Sequence, residues 1–260
     1  MILETIAAKR RERIELRKAE RPLEEVRAAA LRMAGMGKRP LEKALRQEKM
    51  AFICEVKKAS PSKGVLVEDF PYLAIAREYE EAAAAAISVL TEPDWFQGED
   101  AYLEEIARTV QIPVLRKDFT IDPYQIYEAK CLGASAILLI VALLELPRLR
   151  DFLQIATELG LSAIVETHTE VEVATALEAG ATIVGVNNRN LKTFEVDLET
   201  SFRLRKQVPQ DRIFVSESGI RTAEDVARLR AIGTDAVLIG ETLMRSADKK
   251  RMLTELAASP

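Results

Sequence analysis

Eight short apolar runs recur along the chain: Ala51–Val56, Ala85–Leu90, Ile112–Leu115, Ala136–Val141, Ser162–Val165, Thr182–Val186, Arg212–Val215 and Ala236–Ile239. They have strand length and carry the Val and Ile that suit a pleated surface. Helical patterns separate them. Asp122-Pro123 supplies an N-cap and a first-turn proline, and Gly133 stops that helix. Thr169-Glu170-Val171-Glu172 reads as a capping box, with Gly180 at the far end. Thr222 caps a further helix, with Glu224 and Asp225 in its first turn and Gly233 closing it. Strands alternating with helices call for a parallel sheet. Eight such units favour an α/β architecture closed into a (β/α)8 barrel. The competing open, doubly wound sheet would carry a glycine-rich nucleotide fingerprint after the first strand, where this chain has Lys57-Lys58-Ala59-Ser60.

The whole chain, 1–260, suits one barrel domain, with residues 1–48 as an N-terminal helical extension. Those first residues are strongly charged and helix-forming, and Pro22 and Pro40 are the expected helix limits. Lys9, Arg10, Arg11 and Arg13, interleaved with acids, read as a solvated helix face in preference to a basic arm. Leu23, Val26, Ala30 and Met33 would pack such a helix onto one barrel end. A net charge of −4 gives no general affinity for nucleic acid. The longest apolar run, Ala136–Leu144, is too short to cross a bilayer. The N-terminus lacks the apolar core of a signal peptide, and Cys54 and Cys131 show neither metal nor disulfide spacing. A cytoplasmic protein is expected; no feature specifies an oligomer, and a monomer is the working expectation.

Almost every run stops at a polar cluster. Lys57, Lys117 and Glu166 end the first, third and fifth runs, and Glu55 shares a face with Lys57. Odd-numbered strands supply common layers of a barrel interior, so these groups and Glu217 should meet at the mouth. A structural ion-pair network is the alternative to an acid–base centre, although buried pairs are costly to keep for stability alone. Burial is expected to move their pKa values towards neutrality. Ser218-Gly219 after the seventh run and Gly240-Glu241 after the eighth suit a phosphate site, with a backbone N–H as the contact from Glu241. The fourth run passes instead into Ala142-Leu143-Leu144, giving the mouth an apolar side. Asn187, Asn188 and Asn190, all the asparagines of the chain, follow the sixth run and serve either a turn or the site. The long first loop, Lys58 to Gly64, could close over a ligand or lie solvated. Trp95 and Phe96 would line a pocket or pack their own loop. Cys54 reads as a packed hydrophobe, and His168, the one histidine, as peripheral.

The order of motifs resembles the indole-3-glycerol-phosphate synthase family. The carrying stretches are Glu55-Val56-Lys57-Lys58-Ala59-Ser60-Pro61-Ser62, Leu90-Thr91-Glu92 with Phe96-Gln97-Gly98, Leu115-Arg116-Lys117-Asp118-Phe119, Val165-Glu166, Gly185 to Leu191, and Ser216-Glu217-Ser218-Gly219-Ile220. The resemblance implies ring closure with decarboxylation and dehydration of 1-(2-carboxyphenylamino)-1-deoxyribulose 5-phosphate, with no metal or organic cofactor. It implies Lys117 as the acid at the sugar ketone and Glu166 as the other acid–base residue. Lys57 would hold the substrate carboxylate or deliver a proton in the dehydration. Glu55, Asn187 and Glu217 would position those groups. Ser60, Gly219 and Gly240 map onto phosphate binding, Ser218 onto a contact near the sugar, and Arg189 onto support of Asn187 or the lysines. Phe96, Phe119, Leu138 and Leu191 map onto a ring pocket. Glu241 departs from members that carry a small hydroxyl residue there. Two rivals stand beside this reading: a phosphosugar isomerase or cyclase on the same barrel, and a non-catalytic phosphoribosyl-binding protein.

Overall fold

The computed structural model describes residues 2–34 and 41–258; Pro40, an expected helix limit, lies outside them. Eight strands form the barrel: β1 (Ala51–Val56), β2 (Ala86–Leu90), β3 (Val114–Lys117), β4 (Ala136–Ile140), β5 (Ser162–Thr167), β6 (Ile183–Asn187), β7 (Ile213–Glu217) and β8 (Ala236–Ile239). Each is parallel to its sequence neighbours, and β8 closes onto β1 with Ala236 opposite Ala51. Helices follow every strand, so the chain is a (β/α)8 barrel.

Strands β3, β5, β6 and β7 run further than their apolar runs, into the polar residues themselves. Ladder bonds are made by backbone, so a polar side chain does not end a strand when it points into the barrel. Leu90 lies opposite Lys117, Ile140 opposite Glu166 and Asn187 opposite Glu217. The pleat sends alternate residues inward. Ala51 and Ile53 therefore continue into Glu55, Ile164 into Glu166, and Ile213 and Val215 into Glu217; the apolar members all belong to the interior cluster. The opposite faces, including Phe52, Cys54, Val165 and Val184, pack against the helical shell. Burial of Cys54 pushes its thiol pKa up, as expected of a packing residue and not of a nucleophile.

The N-terminal extension comprises α1 (Ile2–Glu20), α2 (Leu23–Arg32) and α3 (Leu41–Leu45). Leu41 and Leu45 are fully buried in the interior cluster and plug the end where the strands begin. The Leu41 N–H donates to Ser162 Oγ at the start of β5 (2.9 Å). Helix α2, expected on a barrel end, instead packs against the shell helix Pro123–Cys131, burying Val26 and Ala30. Helix α1 lies along the opposite rim, and here the solvated-face expectation fails for Arg10, while Arg13 stays partly exposed within an ion pair. Arg10 is 1% exposed and pairs with the equally buried Asp118 (2.7 Å); Arg13 pairs with Asp94 (2.5 Å). Lys9 and Arg11 stay exposed, as a solvated face requires. Arg17 and Arg116 share Asp100 and Glu128, which ties α1 to the shell behind β3.

The expected caps form, with one difference. Asp122 and Gln125 make a capping box, as do Thr222 and Asp225. Thr169 Oγ1 accepts from the Glu172 N–H (3.2 Å), but the Glu172 carboxylate reaches past Thr169 and accepts from the His168 N–H (2.7 Å).

Candidate active site

The inward series of the strands converge at the rim beneath α1. Lys117 Nζ, at the end of β3, donates to Glu166 Oε2 on β5 (3.1 Å) and lies 3.6 Å from Glu217 Oε2 on β7. Lys57 pairs with Glu55, two residues earlier on the same face. All four strands are odd-numbered and all five groups are largely buried. Two glycines make the space. A Cβ at Gly185 would collide with the Glu217 carboxylate, and one at Gly240 with Glu55 and Lys57. The expectation of neutral-shifted pKa values is met at Glu217 and reversed at Lys117 and Glu166. Burial pushes Glu217 up to about 7; Lys117 opposes this, while Glu166 and Glu55 add to it. Burial also disfavours the Lys117 ammonium, but Glu166, then Glu217 and Glu55, outweigh it and raise its pKa. For Glu166 burial is outweighed by Lys117 and then His168, with hydrogen bonds from Lys117 and Asn187, so its pKa is lowered.

Asn187 therefore faces Glu166, and its Oδ1 also accepts the Arg189 N–H (3.0 Å). Its two neighbours are structural. Asn188 Nδ2 bonds Ser216 Oγ and the carbonyls of Glu217 and Ser218, each at 3.0 Å, while its Oδ1 accepts from Ser201. Asn190 Oδ1 accepts the Lys192 N–H (2.8 Å) in an Asx turn. The Arg189 side chain does not reach the lysines. It donates to the Phe194 carbonyl (3.2 Å) and lies 3.7 Å from Glu241.

A cavity of about 400 Å³ opens above these groups. On one side, Ser60, Ser218, Gly219, Gly240 and Glu241 line it. Ser218 and Gly219 take left-handed φ values of +69° and +85°, and a Cβ at 219 would strike Val196. Ser218, a non-glycine residue, thus holds a costly backbone conformation at the cavity wall. Glu241 collects cations: Arg245 at 3.2 Å, and Arg189 and Lys63 at 3.7 Å. Lys63 belongs to the first loop, which folds as a small hairpin (Ala59–Ser60 against Gly64–Val65) at the cavity edge. On the other side Phe96, Phe119, Leu138 and Leu191 line an apolar slot, with the two phenyl rings 6.0 Å apart. Buried Glu92 fixes Phe96 by accepting the N–H groups of Asp94, Trp95 and Phe96 at 2.7–3.1 Å. Trp95 itself does not reach the cavity.

Sequence reading missed two contributors. Ile2, Leu3 and Ile6 of α1 form part of the cavity wall, a placement that no local pattern encodes. His168 Nε2 lies 3.5 Å from Glu166 Oε1, directly behind the site. The spacing of two from Glu166 was the available signal, because it puts both side chains on one face of β5 and its continuation. Among the described residues, no group of three His, Cys, Asp or Glu side chains is arranged to hold a metal ion, and no helix is long and apolar enough to cross a membrane.

A barrel whose strand ends converge on two ammoniums and three carboxylates, beneath a cavity with a cationic side and an aromatic side, defines the class: a TIM-barrel protein with an acid–base centre at its C-terminal mouth. Residues 3–256 match the family described as "Indole-3-glycerol phosphate synthase". The protein of that name from Ruminiclostridium cellulolyticum is 57% identical over all of both chains. The one from Caldanaerobacter subterraneus is 49% identical over 94% of each. A solved 3-hexulose-6-phosphate synthase from Salmonella typhimurium superposes with a TM-score of 0.66 at 14% identity, over 80% of this chain and 97% of that one; this likeness concerns the fold. The chain belongs to the indole-3-glycerol-phosphate synthase family.

Proposed function

We propose that the protein is a carboxy-lyase that converts 1-(2-carboxyphenylamino)-1-deoxyribulose 5-phosphate to indole-3-glycerol phosphate, carbon dioxide and water, in tryptophan biosynthesis. The observation that carries this reading is Lys57–Glu55 beside Lys117–Glu166–Glu217, set between an aromatic slot and a cationic flank.

The substrate's aryl ring takes the slot formed by Phe96, Phe119, Leu138 and Leu191. Its phosphate takes the side formed by Ser60, Gly219, Gly240 and the Glu241 N–H, with Ser218 near the sugar. Lys117 points at the sugar ketone. Its raised pKa keeps it an ammonium at neutral pH, able to stabilise and protonate the oxygen as the ring carbon bearing the carboxylate forms the new bond. Breaking the bond to that carboxylate releases carbon dioxide and restores the aromatic ring. Lys57 holds the carboxylate until then. Loss of water follows: Lys57, freed by the departure of carbon dioxide, gives the hydroxyl the proton with which it leaves, and a carboxylate accepts the adjacent ring proton. Glu166, kept ionised by Lys117 and His168, suits the accepting role. Glu55, Asn187 and Glu217 hold the two lysines and Glu166 in register.

The protein acts as a cytoplasmic monomer on this small molecule. The test is an indole fluorescence assay in the presence of a chelator. Product formed without added metal is expected; folded protein that forms none overturns the assignment.

A further inference from the structure

His168 makes no contact with substrate in the chemistry above and enters it only through its charge on Glu166. Its backbone N–H and Nδ1 both address Glu172 Oε2, at 2.7 and 3.2 Å. That carboxylate has left the usual capping position to do so, since the expected partner was the Thr169 N–H. With Nδ1 committed, the ring aims Nε2 at Glu166 Oε1, 3.5 Å away. Nε2 is buried and has no hydrogen-bond partner within ordinary reach, a costly state for a polar atom unless another group closes on it. Glu166 presents its other oxygen, Oε2, to Lys117 in the cavity. The chain Glu172–His168–Glu166–Lys117 thus runs from the shell helix Glu170–Ala179 through the barrel wall to the site.

We propose that His168, oriented by Glu172, is a positioning residue for Glu166: as an imidazolium it grips the outer carboxylate oxygen while Lys117 grips the inner one. The inference rests on the proposed activity. A carboxylate held from one side only can swing with the lysine when Lys117 turns to the substrate ketone; a second cation behind it keeps its lone pair where the proton is taken. The charged groups facing His168 are Glu172 from the shell helix, Glu166 from its own strand and Glu217 from β7. All are acidic, and together they outweigh burial and raise the imidazole pKa, which sustains the charged form through neutrality. As pH rises through that value, the grip on Glu166 is lost.

Because the chain holds one histidine, its imidazole signal in a proton NMR titration is read without assignment. In the whole protein the midpoint should lie above that of a free imidazole and should fall on Glu166→Gln and on Glu172→Gln. This readout requires no turnover, so it stands apart from failure of the assay. In the assay, His168→Gln should lower kcat about tenfold, of the order seen when groups that orient a reacting residue are removed. KM should stay within about twofold, as for an interaction that matters only in the transition state, and the fall of kcat at alkaline pH that tracks the imidazole should disappear. If His168→Gln does not fold, Glu172→Gln takes its place with the same expectation. A midpoint indifferent to Glu166→Gln, or unchanged kcat in the folded variant, overturns the proposal.

Discussion

The two ends of the barrel are built from the same strands and obey opposite rules. Where the strands begin, the interior is Ala51, Ala86, Ala136, Ile183, Ile213 and Ala236, stoppered by Leu41 and Leu45. Where they finish, the same inward positions hold Glu55, Lys57, Lys117, Glu166 and Glu217. One end gains free energy from removing apolar surface from water. The other gives some back by burying charge, and keeps it only because each ion has a partner within hydrogen-bond or close ionic range. A barrel of this kind places stability and chemistry on one set of strands, separated by only two or three residues along each.

That contrast can be broken first at the chemical end. Lys117→Ala should reduce turnover by about 10³-fold or more, as loss of a principal proton donor does, a loss to be read in the folded variant because Glu166 and Glu217 lose their shared cation. Near-normal turnover would remove Lys117 from the chemistry. At the opposite end Leu41→Ala should cost about 2–5 kcal/mol of stability through a buried cavity, with kcat unchanged within a few-fold in the folded enzyme. Denaturant unfolding beside the fluorescence assay measures both, and a large kcat loss without destabilisation would refute the division. Arg10→Ala tests the seam between α1 and the rim. It strands Asp118 without its closest cation and should cost about 3 kcal/mol, and because Ile2, Leu3 and Ile6 wall the cavity, KM should rise as well.

The smallest effect sharpens the comparison. Glu217 has a carboxyl pKa raised from 4.5 to about 7. Its folded value lies above its unfolded one, so its stabilising contribution is complete below pH 4.5 and lost as pH rises through 7. Glu217→Gln should therefore flatten the decline in stability between pH 4.5 and about pH 7, a window set by those values. An identical pH profile in variant and parent would show that this carboxyl is not the titrating group.

The barrel was legible because its evidence is periodic: Val- and Ile-rich runs at regular spacing, with caps and glycines between them. Strand ends were less so. An apolar run stops at Val165 or Val215, whereas backbone pairing continues through Glu166 and Glu217, and only the closed interior shows why a charged residue is tolerated there. The placement of Lys57, Lys117 and Glu166 on one rim followed from strand parity, which is a local property. Their pKa directions did not, because they depend on distances between strands far apart in sequence: Lys117 is governed by three carboxylates, Glu166, Glu217 and Glu55, which lie 49, 100 and 62 residues away. Arg10 escaped for the same reason. Its helix alone looks solvated, and its partner is 108 residues downstream. His168 read as peripheral because it follows the apolar run, although it shares the face of Glu166.

The closure of β8 onto β1 has a consequence for how the molecule comes into being. Lys57 and Glu55 emerge early from the ribosome, but Gly240, the residue that leaves room for their side chains, is made some 180 positions later. A nascent chain can form its first helices and strands without possessing any reaction centre at all. The reaction centre is complete only once the final strand has joined the first.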